Sequence, residues 1–387
     1  MRLSIKAIAG VALSLAAVPM LFSMPACSMF QQKDVTAVAV TDPGTLPGLQ
    51  DAGLHQVWQR GIRMEAGEQV KKAWYVGRSI YVATTESRLL RIDPKNGVIT
   101  WAAGLGRENF DIYKPIELMG ADSRPTKEVL VVTRGEAFVF DIETGDETRI
   151  PARLGISVSA DPVVIGNTLC VGGADTFYGL YLDRLGAKHW RLPVPGDLFL
   201  SAPVALDSNV LVASKSGHIW RIDGNDGNWD WKDRKTNGDV MAGIAADVNA
   251  VYVPSLDQRV YAFRTDTGGE LWEQYLEGRL EDTPALAGPV VLQRTLEGTL
   301  YALLRTTGVV QWKLPDIAHI ATVGQKSVWV VDTAGNLKSI SLEDGHQLTS
   351  APAPGVKLYL KNTLDSNVVL VTAGGLVGMY APADAGK

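Results

Sequence analysis

Two cysteines, five histidines and one short run of acidic and amide residues are the side chains of this 387-residue sequence that invite chemistry. A thiol can pair, ligate a metal or accept an acyl group, but two cysteines make neither a disulfide framework nor a four-thiolate zinc site. Cys170, in the apolar strand Thr168-Leu-Cys-Val171, reads as a small buried hydrophobe. His55, His189, His218, His319 and His346 are scattered, with no H-E-x-x-H and no pair at ligand spacing. Asp223-Gly-Asn-Asp-Gly-Asn228 has the carboxylate density of a calcium loop, yet it lacks the downstream Glu and occupies a repeated hairpin position. No G-x-S-x-G, P-loop or dinucleotide fingerprint stands between a strand and a helix. The expectation is a chain with no catalytic residue, no metal and no cofactor. That leaves Cys27.

Arg2 and Lys6 precede an uncharged run, Ala7 to Phe22, and small residues then lead to Ala26-Cys27. This is the layout of a secretory signal peptide, and the run is short for a membrane span of about 20 residues. Met24-Pro25-Ala26-Cys27 resembles a bacterial lipobox, which makes Cys27 the lipidated first residue of the mature chain. The resemblance implies three acyl chains, enough for stable anchoring where one would not be. It also implies sorting to the outer membrane, because Ser28 rather than Asp follows the cysteine. Residues 27–50 are rich in Gln, Asp, Thr, Pro and Gly and read as a flexible tether.

The elements that carry the rest repeat. Gly97, Gly145, Gly186, Gly227, Gly268, Gly308 and Gly345 recur at steps of about forty residues. Five of them stand four residues before a tryptophan, as in Asp93-Pro-Lys-Asn-Gly97-Val-Ile-Thr-Trp101, giving Trp101, Trp190, Trp231, Trp272 and Trp312. Arg149 and Thr349 stand where Gly145 and Gly345 would lead to tryptophan. Short apolar strands such as Val210-Leu-Val and His218-Ile-Trp-Arg-Ile precede each turn. Units of four short strands bury their faces by radial stacking, so the chain is expected to be all-β, an eight-bladed β-propeller of four-stranded antiparallel blades. The C-terminus stops before a last outer strand, and Leu54-His-Gln-Val-Trp58 supplies it, closing the ring. The domains are therefore residues 1–26 as signal peptide, 27–50 as tether and 51–387 as propeller.

Glycine suits the tight hairpin, and each repeat tryptophan, Trp58 included, is expected to wedge between blades with its N–H on a neighbour's backbone. Partner surfaces then belong in the loops that join blades. Pro195-Gly-Asp-Leu-Phe-Leu-Ser201 stands out, because Leu198, Phe199 and Leu200 are consecutive large apolar residues. They are either a binding patch or the start of the next inner strand. Asp239 lies in the following connector, one repeat further on.

Hydrophobic residues at 46% and charged residues at 20% exclude a disordered chain. A net charge of −5, from 37 basic and 42 acidic residues, argues against a nucleic-acid binder. Loss of Arg2 and Lys6 with the signal peptide makes the mature chain more acidic still.

The D-x-x-x-G-x-x-x-W repeats resemble those of the pyrroloquinoline-quinone (PQQ) repeat superfamily. With the lipobox, the length, the shared blade and the start Cys27-Ser-Met-Phe30, the chain is similar within it to the BamB lipoproteins of the outer-membrane β-barrel assembly machinery. That resemblance implies a scaffold without enzymatic activity on the periplasmic face of the outer membrane. It would bind the periplasmic domains of BamA and other machinery subunits, and assist unfolded outer-membrane proteins. In that family the connector carries an apolar-x-apolar-basic stretch; Leu198 and Leu200 match its apolar positions, Ser201 departs from the basic one, and Asp239 matches an acidic position in the next connector while Met241 departs from a second. A generic PQQ-like propeller with another envelope partner is the alternative reading, and a quinone-dependent oxidoreductase a third. The cofactor-bearing members are longer and have a vicinal cysteine pair, which this chain lacks.

Lipidation gives the first prediction. Cys27→Ser leaves a protein that takes up no labelled fatty acid and fractionates with the soluble periplasm. If the variant stays with membranes and the parent takes up no label, Cys27 is not the anchor.

Overall fold

In a computed structural model, residues 45–106, 111–120 and 122–383 are described, with the side chains of Lys232 and Asp233 left aside. The signal peptide, Cys27 and most of the tether lie outside them. The described residues form eight four-stranded antiparallel sheets arranged as the blades of a propeller. Each sheet runs in chain order from an inner to an outer strand, and the blades occupy residues 70–104, 116–153, 163–193, 204–235, 245–275, 285–314 and 317–352 in turn. The eighth combines Val356–Tyr359, Val368–Thr372 and Leu376–Pro382 with the N-terminal strand Leu54–Gly61, which pairs antiparallel with Leu376–Pro382 from Leu54↔Pro382 to Gly61↔Leu376. The second strands are the most buried, Asn209–Ala213 and Val368–Thr372 along their whole length, and the core lies between adjacent blades.

The repeat residues lock those interfaces. Trp58 Nε1 donates to Pro94 O at 2.7 Å, and Trp101 to Ile142 O, Trp190 to Gly224 O, Trp231 to Thr265 O, Trp272 to Arg305 O and Trp312 to Leu342 O at 2.9–3.0 Å. Each acceptor lies in the outer hairpin of the next blade, and the glycine of that hairpin lies under the indole. Gly97 thus faces Trp58, Gly145 Trp101, Gly227 Trp190, Gly268 Trp231, Gly308 Trp272 and Gly345 Trp312. A Cβ on Gly227 would sit 2.6 Å from Trp190 Cγ, and its φ is +77°. Only a residue without a side chain meets both demands. The carboxylates of the Asp223 turn are used locally, Asp223 Oδ1 accepting from Asn225 N at 2.7 Å and Asp226 Oδ1 from Asn228 N at 2.9 Å.

Two seams lack the tryptophan and are closed otherwise. Arg149 replaces it in blade 2, where its Nη1 donates to Leu182 O at 2.8 Å while Nη2 holds Glu128 Oε2 at 2.6 Å. The same kind of acceptor carbonyl is met by a cation instead of an indole. Gly186, the hairpin glycine at this seam, therefore lies under no ring: its φ is +88°, and a Cβ there would meet the Arg153 carbonyl at 2.7 Å. Between blades 7 and 8 the outer hairpin is replaced by the two ends of the ring, and the 3-10 turn Gln50–Ala52 fills the gap. Leu49 is fully buried there and Tyr380 Oη donates to Pro47 O at 3.1 Å. This corrects the expected tether boundary at residue 50, since residues 46–50 are part of the fold. Their composition is loop-like, but their apolar members take the place of a missing wedge.

The blade-joining connectors and the turns between second and third strands emerge on one face of the ring, and the remaining turns on the other. Stability should follow the indole–glycine contacts. Gly227→Ala combines a left-handed backbone with a clash against Trp190 and should cost about 2–4 kcal/mol. Gly155→Ala, also at positive φ but with nothing within 4 Å of the new Cβ, should cost about 1 kcal/mol. Urea midpoints for the two variants measure the difference, and equal shifts would deny the indole its role.

Candidate partner-binding surface

The connector from blade 3 to blade 4 is held by a buried carboxylate. Asp197 follows Gly196, whose φ is +82°, and its Oδ1 accepts from Leu198 N at 2.8 Å and Ser216 N at 2.9 Å, while Oδ2 takes the Ser216 hydroxyl. Burial pulls this carboxyl upward, but the donors of the 214–216 turn and Leu198 outweigh it and hold it below the ordinary carboxylate range. A depressed value means the carboxylate stabilises the connector above its unfolded pKa, and that contribution is lost as pH falls through the folded one.

So anchored, the three apolar residues part company. Leu198 is 38% exposed, Leu200 is half-buried and Phe199 is fully buried. Phe199 packs against Phe177 and Trp220, with centroids 5.4 and 5.8 Å away, and its carbonyl accepts from the Ser159 hydroxyl. Phe199 is therefore corrected from a partner-binding residue to an anchor of the interblade core. Val240 and Leu280 fill the same place in the next two connectors and are also fully buried. Nor does Leu198 begin the inner strand, which starts at Val204.

The connectors that carry Leu198 and Asp239 are joined through the main chain of Lys215. Lys215 N donates to Leu198 O at 2.6 Å and Lys215 O accepts from Val240 N at 2.8 Å. The two residues are equivalent, each preceding the buried anchor of its connector and each offering its carbonyl to the next turn, Asp239 O accepting from Leu256 N at 2.8 Å. Asp239 is half-buried, and beyond it Met241, which departs from the expected second acidic position, is 39% exposed and apolar. Ser201, at the expected basic position, is buried and offers a partner no charge. Together these residues can bind a protein surface; they offer no nucleophile and no acid–base pair. Elsewhere, burial pushes the Cys170 thiol up, and among the described residues no three His, Cys, Asp or Glu side chains converge as a metal site.

The family profile described as "Outer membrane protein assembly factor BamB" matches residues 152–242 and 236–377, more than half of the chain. The chain belongs to the BamB family. It is 26% identical over 166 residues to an outer membrane protein assembly factor BamB of Burkholderia pseudomallei, which covers 41% of this chain and 43% of that protein. It is 23% identical over 342 residues to the BamB of Bordetella pertussis, covering 74% of this chain and 85% of that one. The crystal structure of BamB from Moraxella catarrhalis matches at a TM-score of 0.66 and 19% identity, over 84% of this chain and 97% of that one, a likeness of fold. The connectors of blades 3 to 6 lie inside the matched region of this BamB-family chain.

The split between neighbouring leucine and phenylalanine can be measured. Phe199→Ala should cost about 3–5 kcal/mol of stability, as a large core side chain does, whereas Leu198→Ala should stay within about 0.5 kcal/mol. A large loss of thermal midpoint for Leu198→Ala would return that residue to the core.

Proposed function

We propose that this protein is a lipid-anchored scaffold on the periplasmic face of the outer membrane. It binds the periplasmic domains of BamA through the connector face of blades 4 and 5, works beside other subunits of the machinery, and assists assembly of unfolded outer-membrane proteins. Its action is binding, with no bond made or broken. The observation that carries this reading is that the main chain of Lys215 joins the two connectors that carry Leu198 and Asp239, on a single face, within a chain of the BamB family. An apolar residue standing out beside a carboxylate fits the anatomy of an interface, in which a few anchors carry the energy and charges set register. The anchor at Cys27 and a tether before residue 46 would let that face meet a membrane-bound partner without fixing its orientation.

The test is affinity for a purified BamA periplasmic fragment. Leu198→Asp, Leu200→Asp and Asp239→Lys should each weaken binding about tenfold or more, the range of interface hot spots, with thermal midpoints close to the parent's. Unchanged affinity for all three, or no binding by the parent, would reject the reading.

A further inference from the structure

We propose that the docking surface runs on from blade 4 to blade 6 and takes an apolar partner edge that carries a carboxylate, with Lys215 as the cation that meets it and Tyr275 as an aromatic anchor. This rests on the connector face being the BamA-binding face.

The placement follows from hydrogen bonds, main-chain bonds and those of the Gln258 side chain, that step across three blades. Lys215 joins Leu198 to Val240, as above, and Asp239 O receives Leu256 N. From the same turn as Leu256, Gln258 Oε1 accepts from Tyr275 Oη at 3.1 Å and from Gly278 N at 3.3 Å. Arg279, the counterpart of Leu198 and Asp239 in the next connector, offers its carbonyl to Leu296 N at 2.8 Å. Along this path the exposed large side chains are Leu198 at 38%, Met241 at 39%, Tyr275 at 50% and Leu296 at 41%. Four such residues on one arc exceed the scattered single exposures normal for a protein surface.

The charges on the arc are unequal in their freedom. Arg279 is answered by Glu281 at 3.7 Å and Glu297 at 4.0 Å, and Arg259 by Glu273 at 3.5 Å. Lys215 is half-buried, and among the described residues its ammonium has no ion pair and no hydrogen bond. Its backbone is fixed between the connectors that carry Leu198 and Met241. A partner that covers those two side chains strips water from the ammonium, so an unpaired cation there would oppose docking and a carboxylate opposite it would favour it. Tyr275 has the complementary quality. Its ring is held by Gln258 at the hydroxyl and by Arg259, 5.7 Å from the ring centroid, so little side-chain freedom is lost on contact.

The experiment measures affinity for the BamA periplasmic fragment at about 50 mM and about 300 mM salt. Full-length mature protein carries Lys215→Glu, Lys215→Gln, Tyr275→Ala or, as a control on the opposite face, Val248→Ser. Lys215→Glu should weaken binding by at least about a hundredfold, and Lys215→Gln by about tenfold with a smaller loss on raising salt. Tyr275→Ala should cost about tenfold or more. Val248→Ser should bind like the parent. The substituted side chains leave the bridging main-chain bonds in place, so thermal midpoints should not move. If Lys215→Glu and Tyr275→Ala bind like the parent while Leu198→Asp does not, the extension is wrong and the connector reading stands. If the parent itself does not bind, both fall.

Discussion

An indole N–H on a carbonyl of the next blade, with its ring over a glycine, is the contact on which the rest of this ring depends. A four-stranded blade cannot bury both of its faces, so each blade is stable only against its neighbours. Hydrophobic packing alone fixes neither the angle nor the height at which two such sheets meet. A directed hydrogen bond from a large rigid side chain fixes both, and its acceptor lies in a hairpin whose glycine has removed the obstacle. Each bond contributes only about 1 kcal/mol net, but an indole buried without its partner would cost more, so the contact acts mainly against misalignment. Arg149 shows that the demand is for a donor at that carbonyl rather than for tryptophan as such.

Closure imposes the second constraint. The ring begins and ends in the same blade, so the loop-length cost of bringing its ends together is offset by the pairing of Leu54–Gly61 with Leu376–Pro382. At that seam no outer hairpin exists to receive a wedge, and Leu49 with its 3-10 turn is the substitute. With both faces of every blade occupied, variation is confined to the loops. The connectors keep one residue each for the core, Phe199, Val240 or Leu280, and leave the positions on either side free. Adjacent blades therefore present a leucine, a carboxylate and a guanidinium at equivalent points, which is how a repetitive fold acquires a surface with direction.

The ring was legible because its two essential residues are rare and regularly spaced. Gly97 to Gly345 and Trp58 to Trp312 mark the interfaces directly, and the absent last strand pointed to Leu54-His-Gln-Val-Trp58. That the connectors of Leu198 and Asp239 emerge side by side was legible for the same reason, since they are one repeat apart. Phe199 was misread because three apolar residues in a row have no alternation to say which faces inward; the Asp197 cap decides that, through bonds to a turn some twenty residues away. The role of Leu49 was hidden because a plug at a unique seam has no sibling repeat to compare with. Lys215 and Tyr275 were out of reach for a related reason, as they join the surface from a turn and a strand end that no connector motif includes.

Hydrogen–deuterium exchange on the full mature chain, with and without the periplasmic fragment of BamA, tests the central claim that one face of the ring does the binding. Partner-dependent protection is predicted in residues 196–201, 214–217 and 239–243, with turns on the opposite face, such as 247–249 and 288–289, exchanging as before. Protection confined to those opposite turns, with the connectors unaffected, would contradict it.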